Sequence, residues 1–199
     1  MKHVLTLLTL IVLTVSADAQ TQESGCRLTA ADAPTVRGLR LGTSTDDLLA
    51  LFPAGAKRNE VKGAVAKAKS TGGGEVVFLS FYPATDSGKE QFAGVAFVSA
   101  GVLNGRVADF TALYGGATWS AVDDWVAKLV ETFKLPAAQN WMAGPNETPN
   151  KILRCDGIAI EAAIQGGSAS IRVSSAEALK VMSDRANASD ERKRREMKP

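Results

Sequence analysis

The chain has 199 residues, 45% of them hydrophobic, and a formal net charge of +2. That length and composition suit one globular domain, or two small repeats, with a genuine apolar core. So small a net charge leaves no electrostatic footprint for nucleic acid, which is not expected as a partner.

Residues 1–19 read as a secretory signal peptide. Lys2 and His3 make a short basic start, residues 4–15 are apolar, and Ala17-Asp18-Ala19 supplies an A-x-A cleavage site. An apolar run of about 12 residues is too short to span a bilayer. The expectation is a periplasmic or secreted protein, released by cleavage near Ala19. Lipid attachment at Cys26 is the lesser alternative, because Glu23 sits where such a site takes an apolar residue. His3 is the only histidine and would leave with the signal peptide. Ser-His-Asp and Cys-His catalysis and histidine metal sites would leave with it.

Residues 20–34 are polar and alanine-rich and read as linker apart from Cys26. The chain has two cysteines, Cys26 and Cys155. An exported compartment permits a disulfide between them, and closing so long a loop contributes about 4–5 kcal/mol in the chain-entropy model. The alternative, a reactive thiol at Cys155, has adjacent Arg154 as its cationic neighbour.

A single α+β domain is expected over residues 35–175, anchored by residues 36–53. There Ser44 is placed to accept the N–H of Asp47 as an N-cap. Asp46 and Asp47 put negative charge on the positive end of the helix dipole. Leu48, Leu49 and Phe52 form an apolar stripe, and Pro53 stops the helix. Gly38 and Gly42 permit backbone angles that other residues resist.

The arrangement G-L-x-L-G-T-S-x-D-D-L-L-x-L-F-P in this stretch resembles a signature of exported bacterial domains. It is similar to the opening of the fold shared by β-lactamase-inhibitor protein and the small lipoprotein of the outer-membrane β-barrel assembly machinery, with Thr43 in place of the usual Met. The resemblance implies a capped helix followed by a strand meander, and a role in binding other proteins rather than in chemistry. It carries over no individual binding residue.

Residues 54–74 are locally basic, with Val61, Ala64, Val65 and Ala68 at helical spacing interrupted by Gly63. They read as a solvated helix or loop face. Ser70-Thr71-Gly72-Gly73-Gly74 lacks the lysine and spacing of a phosphate loop. Residues 75–82 read as a strand stopped by Pro83, residues 84–91 as a polar loop, and residues 92–98 as the next strand. Asn104-Gly105 signals a type I′ hairpin between residues 101–103 and 106–114. In the second of these, Phe110, Ala112 and Tyr114 share one face, with Val107, Asp109, Thr111 and Leu113 on the other.

The clearest helix follows. Ser120 is its expected cap, with Asp123 three residues on. Val122, Trp125, Val126, Leu129, Val130 and Phe133 recur with helical period, so one stripe belongs against a sheet. Residues 137–151 read as loop, and residues 152–165 and 168–174 as a final hairpin about Gly166-Gly167. The result is an antiparallel sheet meander with two main helices packed on one face. The element order, with Asp46-Asp47 and Asp123-Asp124 in matching places, hints at a degenerate tandem repeat.

Residues 176–199 are charged and read as a mobile tail, helical at most over residues 176–186. The run Arg192, Lys193, Arg194 and Arg195 offers electrostatic contact with an anionic lipid or envelope polymer. The paired aspartates are explained by helix-terminal charge better than by acid–base chemistry. No cofactor or metal motif occurs. Trp119 and Trp141 are the candidate partner anchors, with the edge of the core as their alternative role. These features lead to an exported, non-enzymatic protein that binds another protein or an envelope component. The alternative is a small periplasmic hydrolase or ligand-binding protein using carboxylates and aromatics.

Overall fold

The computed structural model describes residues 26–71, 74–87, 90–116, 119–145 and 148–197. The expected signal peptide and the first residues of the linker lie outside these. Among the described residues, seven strands form one antiparallel sheet in an α+β fold: β1 (Val77–Phe81), β2 (Val95–Leu103), β3 (Arg106–Tyr114), β4 (Met142–Ala143), β5 (Asn150–Arg154), β6 (Ile158–Gln165) and β7 (Ser168–Ser175), in spatial order β1-β2-β3-β7-β6-β5-β4. Two hairpin-built halves therefore meet along β3 and β7.

The anchor forms as its residues dictate. Ser44 Oγ accepts the Asp47 N–H at 3.1 Å and donates to the Asp47 carboxylate at 2.7 Å, opening helix α1 (Thr45–Leu51). Leu48 and Phe52 are fully buried, and the Phe52 ring stacks on Phe81 of β1 at 4.3 Å between centroids. Ahead of the helix, Val36 and Leu39 exchange backbone hydrogen bonds of 2.8 and 2.9 Å, closing a two-residue turn over Arg37 and Gly38.

Residues 54–74 hold a 3-10 turn and helix α2 (Asn59–Ser70), which buries Val61 and Ala68 and leaves its basic residues outward. Arg58 is the exception to a solvated face. It pairs with the buried Asp86 at 3.1 Å and donates to the Ser80 carbonyl, tying the start of α2 to edge strand β1. The expected polar loop at 84–91 instead opens with a helical turn, α3 (Pro83–Asp86). Proline suits a first helical position, and Asp86 accepts the Tyr82 N–H at 2.7 Å.

Strand β2 runs unbroken from Val95 to Leu103, where separate strands over residues 92–98 and 101–103 are expected, and Phe92 instead ends a 3-10 turn. Gly101 is required there, since a Cβ would come within 2.7 Å of Val76 Cγ1. Tertiary pairing on both sides overrides weak strand propensity. Both residues of the Asn104-Gly105 turn have positive φ, as a type I′ hairpin needs. A register shift between Gly101 and Val102, opposite Val107 and Asp109, corrects the strict alternation expected in β3. The bulge turns Val107 into the same core as Phe110 and Ala112.

The expected strand over 152–165 is interrupted at Cys155-Asp156-Gly157, where the Cys155 N–H meets the Ile158 carbonyl at 2.9 Å. Cys26 and Cys155 are disulfide-bonded, with sulfurs 1.99 Å apart. Asp156 and Gly157 donate to the carbonyls of Cys26 and Leu28, so the described part of the expected linker is pinned to this turn.

Helix α4 (Val122–Phe133) buries Trp125, Val126 and Leu129 on the expected stripe. Its N-cap is Ala121, not Ser120, and no side chain caps it. The charged C-terminal segment continues as helix α5 (Ala176–Glu196) well past residue 186. Ser175 caps it, accepting the Ala178 N–H at 3.0 Å. Ion pairs of Lys180 with Asp184 and Glu191 with Arg195, four residues apart, suit an exposed helix. Ala178, Val181 and Met182 pack on Val76, Leu103 and Ala108. This is the sheet face opposite α4, because Arg172, which alternates with the core residues Ile171 and Val173, points to Met182. Beneath α5, the buried Asp109 carboxylate accepts from Arg172 Nε at 2.9 Å and Ser174 Oγ at 2.6 Å. At the rim, Glu75 pairs with both Lys67 and Arg185.

Replacing both cysteines by serine (Cys26→Ser with Cys155→Ser) is expected to cost about 3–5 kcal/mol, since the bridge closes a loop of 129 residues. Urea unfolding of the oxidised protein and the variant measures it. Hydrogen bonds from Lys67 and then Arg185 hold the Glu75 carboxyl below the ordinary carboxylate range. A depressed folded pKa stabilises above the unfolded value and ceases to do so as the pH falls through the folded one. Thermal melts should therefore show wild type above Glu75→Gln at neutral pH, with the gap closing in acid.

Candidate functional site

A pocket of about 430 Å³ opens between α4 and the turn at residues 36–39. Its apolar wall follows from helical spacing: Trp125, Leu129 and Phe133 stand at i, i+4 and i+8 along one side of α4. Tyr114, at the end of β3, and Trp119, just beyond, complete an aromatic box with Val36 at its side. The Trp125 indole donates to the Ser170 carbonyl at 2.8 Å, which fixes that ring. Trp119 lies 5.0 Å and Tyr114 5.1 Å from it, centroid to centroid. The Trp119 N–H donates to the Gly167 carbonyl at 3.0 Å, holding its backbone to the β6–β7 turn.

Four polar residues line the same space: Thr35, Thr132, Arg37 and Lys128. Arg37 projects from the turn, where its Nη2 donates to the Ala93 carbonyl at 3.2 Å and its own carbonyl accepts from Gln91. Lys128 pairs with Glu131 at 2.8 Å on the solvent side of α4. Burial pushes the Tyr114 phenol above its ordinary pKa, against a smaller opposite pull from Arg37. Among the described residues, no carboxylate lines the pocket. The lining presents aromatic faces inside and positive charge at the mouth.

Of the residues singled out from sequence, Trp119 is half-buried and lies in this pocket. Trp141 is only 5% exposed and donates its indole N–H to the Pro136 carbonyl at 3.2 Å, so it takes the core-edge position. Arg192, Lys193, Arg194 and Arg195 are exposed near the end of α5, on the other side of the sheet. The fold does not bring them to the tryptophans. Asp46, Asp47, Asp123 and Asp124 all lie in first turns of helices, as their spacing suggests. Among the described residues, no cluster of three or more His, Cys, Asp or Glu is placed to hold a metal ion, and no helix is long and apolar enough to cross a membrane.

Sequence reasoning missed Arg37, Tyr114, Lys128 and Phe133 as a set. Phe133 and Trp125 were visible as a helical stripe, but the stripe reads as core. Nothing local announces that its outer end stands open. A second groove, of about 540 Å³, runs between α5 and β1, with Phe78, 45% exposed, and Met182 on its walls. The Glu75–Arg185 pair borders it. Comparisons with protein-family models, curated proteins and solved structures return no match for the chain.

The two pocket tryptophans separate fold from site. Trp125→Ala should cost about 3–5 kcal/mol, because it empties a buried position and removes the indole's hydrogen bond to the Ser170 carbonyl. Trp119→Ala should cost only about 1–2 kcal/mol, since the side chain is only partly withdrawn from water. Chemical unfolding followed by circular dichroism measures both.

Proposed function

We propose that the chain is an exported, non-enzymatic binding protein whose recognition site is the aromatic pocket at Trp119. The observation that carries the reading is the partly exposed Trp119 ring, set against Trp125 beside Tyr114 and Phe133. Aromatic side chains fixed in an open apolar pocket bind with little loss of conformational freedom. Export is supported by the leader-like residues 1–19 and by the Cys26–Cys155 bridge, which suits an oxidising compartment. The resemblance of residues 36–53 to exported protein-binding domains points the same way. The partner is another protein or an envelope component. A hydrolase reading would call for a pair of carboxylates in a cleft, and the pocket offers none to support it.

A second reading places the contact at the exposed basic run 192–195, near the end of a helix whose docked residues belong to its first half. Crosslinking and affinity capture from the native envelope separates the two. Wild type is expected to retain one dominant component that Trp119→Ala loses. Capture that survives Trp119→Ala and is lost when residues 192–195 are changed to glutamine would move the function to the helix end. Capture of nothing by wild type overturns the binding reading.

A further inference from the structure

Resting on that reading only for the pocket as a recognition site, and going beyond it in the occupant, we propose that the Trp119 pocket takes a small hydrophobic carboxylate, an aryl or alkyl acid, with its apolar body among the rings and its carboxylate facing Arg37 and Lys128. The volume of about 430 Å³ falls in the range of small-molecule sites, which are mostly apolar with a few placed polar groups. The charge pattern selects the ligand class. Among the described residues, two cations and no carboxylate line the space, so an organic anion is attracted and a cation repelled.

Arg37 is the stronger of the two. It makes no ion pair among the described residues, and its one described hydrogen bond, to the Ala93 carbonyl, leaves most of its five N–H donors for a ligand. A guanidinium beside an apolar surface is suited to a carboxylate through two parallel hydrogen bonds. Its backbone supports a functional role. Arg37 has φ +54 in a two-residue turn, where asparagine, aspartate or glycine is favoured, so the turn carries a local cost to present this side chain. Lys128 does have a partner, Glu131, but their side chains are 53% and 70% exposed. An exposed pair of this kind is weak and gives way to a better-placed anion.

The protein carries its own reporter. Two of its three tryptophans, Trp119 and Trp125, line the pocket, so a ligand changes their emission. The test titrates the purified protein with 4-phenylbutyrate and, separately, with the neutral 4-phenylbutan-1-ol. The acid should bind about tenfold tighter than the alcohol, a preference that shrinks at high salt. Arg37→Asn should melt no lower than wild type, because asparagine suits the turn, yet remove most of the acid's advantage over the alcohol, leaving only the share that Lys128 supplies. Equal affinities in wild type would overturn the carboxylate assignment while leaving the pocket as a binding site. No binding of either probe to protein with a normal melt would overturn the small-acid proposal, while the recognition site itself stands or falls by the capture experiment with Trp119→Ala. Tighter binding of a short peptide ending in phenylalanine than of 4-phenylbutyrate would overturn the small acid in favour of a peptide terminus.

Discussion

The pairing of β3 with β7 joins two strands that more than fifty residues separate along the chain, and every other feature is arranged about it. Its register sets Phe110 opposite Val173 and Ala112 opposite Ile171, all fully buried. The same register puts Asp109 opposite Ser174, so the alternate face carries a buried carboxylate instead of another apolar row. Each half of the sheet is built from hairpins, which are local and cheap to close; the seam between them is not. Once it forms, both sheet faces are defined at once.

Those faces are used differently. On one, α1, α2 and α4 cover a large core through leucines, phenylalanines and Trp125. On the other, α5 covers a small patch through Ala178, Val181 and Met182, supported by the Asp109, Arg172 and Ser174 cluster. A carboxylate 1% exposed is tolerated because two donors satisfy it. The cluster also explains how so polar a helix stays on the sheet: a few apolar contacts are backed by a thioether and by the Glu75 pairs at the rim. The disulfide does the equivalent task at the start of the described chain, holding residues 26–28 to the β5–β6 turn.

The pocket exists because α4 is longer in its apolar stripe than the sheet beneath can cover. Leu129 is buried and Phe133 only half so, and the gap is bordered by a turn from the far end of the sequence. The site is thus made by residues 35–37, by Tyr114 and Trp119, and by α4 residues between 125 and 133, three groups with no local reason to meet. Trp119 could be picked out as a tryptophan outside a helix, because exposed indoles are worth asking about. Arg37 could not, since its sequence signature is that of any turn. Trp141 carried the same signal as Trp119 and ended in the core, because the Pro136 carbonyl offered its indole N–H a partner indoors.

What the sequence determined by itself were the features set by neighbours along the chain: the Ser44 cap and Pro53 stop of α1, the Asn104-Gly105 hairpin, the stripe of α4 and the alternation in β3 from Phe110 onward. These depend on periods and side-chain-to-backbone bonds spanning a few residues, so local pattern suffices. The Asp156-Gly157 turn was equally local and was there to be read. Tertiary structure alone decided the bulge that turns Val107 inward, the continuity of β2 through Gly101, the fate of the two loop tryptophans and the union of Arg37 with the α4 aromatics. It also carried the charged C-terminal segment on as a helix past Ala186. In each case the deciding partner lies across the sheet or on another element, and the free energy comes from burial or pairing that no window of sequence contains.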